Sequence, residues 1–256
     1  MEKHLLSKST FIRGQQCLKS LYLHKKRPFL RDRISKEQLA RFSRGTKLGD
    51  LARDLFPGGQ NLEPKSPSQY RKAVLNTLEA TNADEYIIYE AGFQAEQVLI
   101  LLDILVKKDN KIYAYEVKSS FKISETYLND AALQYYVITN AGFELEDFSL
   151  IYIDENYDFE ITPELDKLFK IQSVLEEVKM RQEGIGEQVR LCKQALSLTK
   201  SPDIPVGDHC NYPYPCDFQG HCWKNVEGGK PEVAIPEKSL NHPLYQKLLS
   251  YYNSLK

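Results

Sequence analysis

The spacing of apolar positions changes several times along this chain. Residues 36–55 carry a helical pattern that stops at Phe56-Pro57-Gly58-Gly59. A second helix is predicted from Ser66 to about Ala80. Ser66 serves as its N-cap, Pro67 as its first residue and Gln69 as the return partner of a capping box, with Tyr70, Val74 and Leu78 on one side. The pattern then turns to β-branched, aromatic and aliphatic runs at 86–94, 97–107 and 111–119. Short polar breaks separate them, so they read as three antiparallel strands in a meander. A helix at about 127–140 and a strand at 147–153 follow. Residues 163–197 read as helical with a break near Gly184-Ile185-Gly186, 201–235 as a loop rich in Pro, Gly and Cys, and 242–254 as a last amphipathic helix. The pattern predicts a mixed α/β domain with a helical annex.

Composition narrows the class. Hydrophobic residues make up 42% and charged residues 27%, which excludes disorder and collagen. No apolar run reaches the roughly 18 residues of a spanning helix, so no membrane partner is expected. The N-terminal MEKHLLSKSTFIRG has no apolar signal-peptide core, which predicts a cytoplasmic protein. In that compartment five cysteines point to metal ligation rather than disulfides. The net charge of −1 conceals an asymmetry, with thirteen Lys/Arg against three Asp/Glu in residues 1–47. This balance fits either a phosphate-binding surface or a solvated helical face.

The second and third strands carry the sharpest chemical signal. Asp109-Asn110 predicts a two-residue turn, because both residues tolerate positive φ. That turn sets Lys108 against Lys111 and Asp103 against Glu116, with Lys118 on the same face two residues on. Asp103 interrupts an apolar row between Leu101 and Leu105. Two facing, half-buried carboxylates repel, and a divalent cation such as Mg²⁺ or Mn²⁺ would relieve them. If Ala95-Glu96 forms the preceding turn, Glu90 lies diagonal to Asp103 and adds a third carboxylate. A solvent-facing strand pair with acid–lysine ion pairs is the plainer reading.

Cys210, Cys216 and Cys222 fall within thirteen residues of a loop that lacks apolar periodicity. A metal centre would supply the missing core, since its binding free energy becomes folding free energy. Cys17 and Cys192 are candidates for a fourth ligand, with His209 and His221 further options. Cys192, mid-helix in VRLCKQAL, reads as a packed thiol.

Asp103, then Glu116-Val117-Lys118, then Gln134 on the next helix resembles the PD-(D/E)XK nuclease superfamily in its RecB-like branch. The similarity runs in order along most of the chain and takes in Leu6-Ser7-Lys8-Ser9, Cys17 and the helix at Gly45. The resemblance implies a single domain over 1–256, with a restriction-endonuclease-like core at about 40–155. An annex would form from 1–35 and 200–230. It implies Mg²⁺ or Mn²⁺ bound by Asp103, Glu116 and the Val117 backbone carbonyl, with Glu90 as an added ligand. Lys118 would contact the attacking water or the scissile phosphate, and Gln134 would orient the site. The iron–sulfur branch, similar to the CRISPR adaptation nuclease and the AddB nuclease domain, carries one Cys before the core and three after it. That order implies a structural [4Fe–4S] cluster on Cys17, Cys210, Cys216 and Cys222, a ligand set that would also suit Zn²⁺.

The chain departs from the family at three places. Leu102 stands where the motif's name has Pro, Gly49 where relatives often carry His, and Ile138 where they carry Tyr. The expected function is a metal-dependent DNA nuclease, acting as an exonuclease on single-stranded DNA. The alternative is a catalytically weak binding or adaptor module of the same fold. Phe11, Tyr22 and Phe29 are candidates for base stacking or for the core. Polarity, endo- or exonucleolytic action and any protein partner are not legible.

Overall fold

The structure is a computed structural model that describes residues 3–33, 36–224, 226, 229 and 242–254. A two-residue strand, β1 (Leu6–Ser7), leads into α1 (Lys8–Gln16), α2 (Leu18–Lys26) and α3 (Lys36–Arg53). β2 (Gln60–Asn61) and α4 (Tyr70–Ala80) precede the meander of β3 (Tyr86–Ala95), β4 (Val98–Lys108) and β5 (Lys111–Lys118). Then come α5 (Glu125–Asn140), β6 (Asp147–Ile153), α6 (Leu165–Leu168), β7 (Phe169–Ser173), α7 (Leu175–Met180) and α8 (Gln182–Ser197). α9 (Gln219–Cys222) and α10 (Pro243–Ser254) complete the described elements. None of the described helices is long and apolar enough to cross a membrane.

The protein is α/β, with a mixed seven-stranded sheet ordered β2-β3-β4-β5-β6-β7 and β1 paired to β4. The meander is antiparallel, whereas β5 runs parallel to β6. The crossover between that parallel pair is α5, because parallel neighbours need a long connection. Two cores alternate along the strands: Ile88, Leu105, Ala114 and Leu150 enter one, and Tyr89, Ile104, Tyr115 and Ile151 enter the other. The first core also takes in α5 and α8 through Leu133, Val137 and Val189. The second takes in α3 and α10 through Leu48, Leu51, Leu244 and Leu248.

The predicted meander and the 36–55, 127–140, 147–153 and 242–254 elements are present, with ends moved by a few residues. Elsewhere the structure corrects the pattern. Residues 163–197 are not one broken helix: β7 forms an edge strand on β6, and the helical break falls at Arg181. Gly184 and Gly186 lie inside α8. Ser66 opens a 3₁₀ turn, and the Gln69 Oε1 accepts from the Lys65 N–H at 2.8 Å, one residue short of the predicted box. α4 buries Ala73, Val74 and Thr77, leaving Leu78 exposed. The reason is a close approach to β3: a Cβ on Gly92 would stand 3.0 Å from the Val74 backbone N, and Thr77 Oγ1 accepts the Gly92 N–H at 2.8 Å. Of the predicted 201–235 loop, residues 225, 227–228 and 230–235 lie outside the described residues.

Residues 3–33 do not stand apart from the sheet. Leu6, Phe11 and Leu21 belong to the first core, while Tyr22 and Leu23 meet Phe218 in a small cluster edged by Cys216 and Cys222. Phe11 and Tyr22 are therefore core side chains, and Phe29 is exposed.

Candidate active site

The Asp109-Asn110 turn is formed as predicted, with φ of 51° and 60°, and Lys108 pairs Lys111. The preceding turn is Glu96-Gln97, not Ala95-Glu96, again with positive φ at both residues. Neither is a good former of that turn, and tertiary contacts hold it. The Leu5 and Leu6 N–H groups donate to the Gln97 carbonyl at 2.8 and 3.1 Å, and Lys193 Nζ donates to the Glu96 carbonyl at 3.0 Å. The corrected register puts Glu90 opposite Asp103 rather than diagonal to it, between the pairs Tyr89↔Ile104 and Ala91↔Leu102.

At this point the sheet departs from regular alternation in two strands at once. Ile88 and Ala91 enter the same core although three residues apart, and so do Leu102 and Leu105. A period of two forbids that unless one residue in each strand leaves the pleat. Those residues are Glu90, whose φ is +56°, and Asp103. Backbone in this region is unfavourable for a non-glycine residue and persists where its surroundings hold it. Here Arg53 from α3 donates to Glu90 Oε1 at 2.8 Å.

The β4–β5 ladder also ends here, at Ile104↔Tyr115. Beyond it the Val117 N–H donates to Asp103 Oδ2 at 2.6 Å, so a carboxylate replaces a backbone acceptor. β4 goes on to pair with β1 at Val98 and Leu99, while β5 stays with β6. The strands fork, and Glu90, Asp103 and Glu116, none of them in a ladder pair with another, line one cleft at the fork. β1 leads straight into Lys8, whose Nζ lies 2.7 Å from Glu116 Oε1. Lys118 Nζ lies 2.8 Å from the same oxygen and pairs with Asp130 of α5.

Burial and charge set the protonation of the group. Glu116 is 2% exposed. Burial alone would raise its carboxyl, but Lys118 and Lys8 outweigh it and hold Glu116 down at about 2. For Asp103 the balance is reversed: burial, then the charge of Glu116, outweigh Lys8 and Lys118 and push it up to about 8. Burial also raises Glu90 despite Arg53. Lys118 and Lys8 are desolvated too, yet Asp130 and Glu116 for the first, and Glu116 above all for the second, keep both charged.

A cleft of about 340 Å³ opens beside this row, lined by Asp50, Glu90, Asp103, Glu116, Val117 and Lys118, with Tyr127 at one wall. Lys118 Nζ stands 5.3 Å from the Tyr127 ring centroid. Gly49 and Asp50 of α3 reach the cleft, and Asp50 accepts from the Tyr252 hydroxyl at 2.8 Å. Gln134 is not part of the cleft lining. It is fully buried on α5, one turn after Asp130, and neither amide atom has a hydrogen-bond partner among the described residues. Glu116 Oε2 and Asp130 Oδ1 are likewise buried and unpartnered. Of these only Glu116 lines the cleft, where its orphaned Oε2 in the company of Asp103 suits a bound cation with waters. Among the described residues no three His, Cys, Asp or Glu side chains converge as a ready-made ion site.

Sequence reasoning missed Lys8, Arg53, Tyr127 and Asp130 as site members. Asp130 gave a usable signal, a lone acid before the apolar Ala131-Ala132-Leu133 run, in helical step with Tyr127 and Gln134. Lys8 entered only within the Leu6-Ser7-Lys8-Ser9 resemblance, and nothing local pointed to its partner 108 residues away.

The cysteines are all free. Cys17, Cys210, Cys216 and Cys222 line one small cavity, together with His209. Cys192 is elsewhere, buried under Gly14, where it accepts from Gln188 at 3.5 Å. The loop is closed by backbone bonds from Cys216 N–H to the Cys210 carbonyl at 2.8 Å and from Gln16 to the His209 and Tyr214 carbonyls. Burial raises the Cys17 and Cys222 thiols, so they are protonated unless a metal draws the proton off.

No family model and no curated protein matches this chain. Among solved structures it is similar to the crystal structure of SSO0001, with 14% identity over 87% of each chain and a TM-score of 0.40. A likeness at that level bears on neither fold family nor activity.

Proposed function

We propose that this chain is a metal-dependent nuclease with a restriction-endonuclease-like core of the RecB-like type, cutting phosphodiester bonds in single-stranded DNA. The observation that carries the reading is the acidic group at the strand fork: Glu90, Asp103 and Glu116, beside Lys118, lining one open cleft. Asp103, Glu116 and the Val117 carbonyl, with Glu90 at the edge, would hold Mg²⁺ or Mn²⁺. Such a cation supplies Lewis acidity to the phosphate and lowers the pKa of water. Of the protein's own groups, Lys118 presents a fixed positive charge where charge develops on the phosphate, and Asp130 and Tyr127 orient it. Lys8 keeps Glu116 ionised. The four cavity cysteines fit a [4Fe–4S] cluster. Zn²⁺ is the other candidate for that site.

A second reading has its own support. Lys118 is tied to two carboxylates, and Gly49 offers no side chain where relatives carry His. A module that binds nucleic acid without cutting it would tolerate both. The test is a Mn²⁺ and Mg²⁺ titration with end-labelled single strands, using protein purified without oxygen. Cleavage that disappears in Asp103→Ala supports the nuclease; tight binding with no cleavage at any metal concentration supports the binding module.

A further inference from the structure

A second cavity, of about 440 Å³, lies on the other side of Tyr127 from the acidic cleft. Its walls include Phe121, Tyr127, Tyr212, Tyr214 and His242, with Lys122 among them. Five rings in one open cavity are more than packing requires. Tyr212 is 73% exposed and Tyr214 42%, although both are large and partly apolar. The loop that carries them is not loose. Tyr212 N–H donates to the Asp208 carbonyl at 3.1 Å, Gln16 holds the Tyr214 carbonyl at 2.7 Å, and Gln219 holds Asn211 at 2.7 Å. The opposite wall is equally fixed, with the Phe121 ring 4.4 Å from that of His242 and 4.6 Å from that of Tyr245.

We propose that this cavity is a base-binding subsite for the nucleotide next to the phosphate in the acidic cleft, with Tyr212 and Tyr214 as stacking platforms. The inference rests on the nuclease reading of that cleft and deepens it. Three observations converge. Tyr127 is common to both cavities, so one strand can lay a phosphate beside Lys118 and the adjoining base behind the ring. The backbone that carries Tyr212 and Tyr214 is held in place before any ligand arrives, which gives stacking a fixed base. Lys122 in the lining offers a cation to the backbone, against one acid there, Glu155. Stacking reads π-faces rather than base edges, so the subsite favours unpaired strands without choosing their sequence. The loop between Cys210 and Cys216 thus has two roles, because the thiol cavity at its ends and the ring pair at its tip belong to one segment.

The test is binding of a fluorescein-labelled single strand to the full chain, followed by anisotropy with Ca²⁺ in place of Mg²⁺. A set of strands carries one abasic site, moved along the sequence. Wild type should bind worse by roughly tenfold when the abasic site falls at one or two positions near the cut, and unchanged elsewhere. Y212A/Y214A should lose a similar factor on the intact strand and become indifferent to the abasic site. Y212F/Y214F should retain wild-type discrimination, because the ring remains. Equal wild-type affinity across the abasic set, or intact-strand binding by the double alanine variant as tight as wild type, overturns the subsite. If wild type cuts single strands while the abasic set is flat, only the subsite falls. If it neither binds nor cuts any strand, the nuclease reading falls and takes the subsite with it.

Discussion

The two carboxylates that face each other across the fork should respond oppositely to neutralisation in metal-free protein. Folding moves Asp103 from 3.8 to about 8. A raised carboxyl favours the folded state only while protonated. Its contribution is complete below pH 3.8 and lost as pH climbs through about 8. At about 1.4 kcal/mol per pH unit, a shift of some four units would be worth roughly 6 kcal/mol. The cleft is open to water, which screens the charge, so about 2–3 kcal/mol is the expected share. Asp103→Asn keeps an oxygen for the Val117 N–H and cannot ionise. It should match wild type at pH 4 and exceed it by about 2–3 kcal/mol at pH 8.5 in chelator. Glu116 has the other sign. Held down at about 2, it contributes stability above pH 4.5 that is lost as pH falls through 2. Glu116→Gln leaves Lys8 and Lys118 without their shared partner and should lose about 3–5 kcal/mol at neutral pH. The assay is urea denaturation from pH 4 to 9 in chelator, repeated with Mn²⁺. Added metal should close the gap between wild type and Asp103→Asn by stabilising wild type alone. Equal stability of the two proteins at pH 8.5, or a stabilising Glu116→Gln, would refute the assignment of one strained and one supported acid.

The other expectations are more direct. Asp103→Ala, Glu116→Ala and Lys118→Ala should each remove metal-dependent cleavage of a labelled strand, with wild-type-like turnover by a clean Asp103→Ala preparation counting against the site. Reversing the exposed Lys25, Lys26 and Arg27 to Glu should weaken strand binding for all sequences alike and flatten its dependence on salt. Alanine at Cys17, Cys210, Cys216 or Cys222 should lower iron per chain after anaerobic purification to a similar extent, while Cys192→Ala leaves it unchanged. Metal loss confined to Cys192→Ala would assign the ligands differently.

Local chemistry was the legible part of this chain. The Asp109-Asn110 turn follows from two residues that accept positive φ, and it brought Lys108 to Lys111 without any knowledge of the rest. The helix of residues 125–140 and the strand after it have periods long enough to stand alone. What failed was decided at a distance. The Glu96-Gln97 turn depends on Leu5, Leu6 and Lys193. β7 exists because β6 offers an edge to the alternating Phe169–Ser173, whose neighbours read as helix.

The site divides along the same line. Asp103, Glu116 and Lys118 could be set on one hairpin because a turn fixes the register. Even there, alternation alone put Asp103 in a regular row between Leu101 and Leu105. The structure takes it out of the pleat together with Glu90, and no local pattern announces that, since Leu102, Ile104 and Leu105 are equally apolar whichever core each enters. The irregularity has a physical cause at the level of the sheet. β4 must leave β5 to meet β1, and the Val117 N–H released by that departure needs an acceptor, which Asp103 supplies. Lys8 arrives by the same pairing, as the first residue after β1. The carboxylate, the free amide and the lysine are thus consequences of one fork. A substitution that disturbs β1, such as Leu6→Pro, should therefore raise the Glu116 carboxyl as well as loosen the sheet, although it touches no acidic residue.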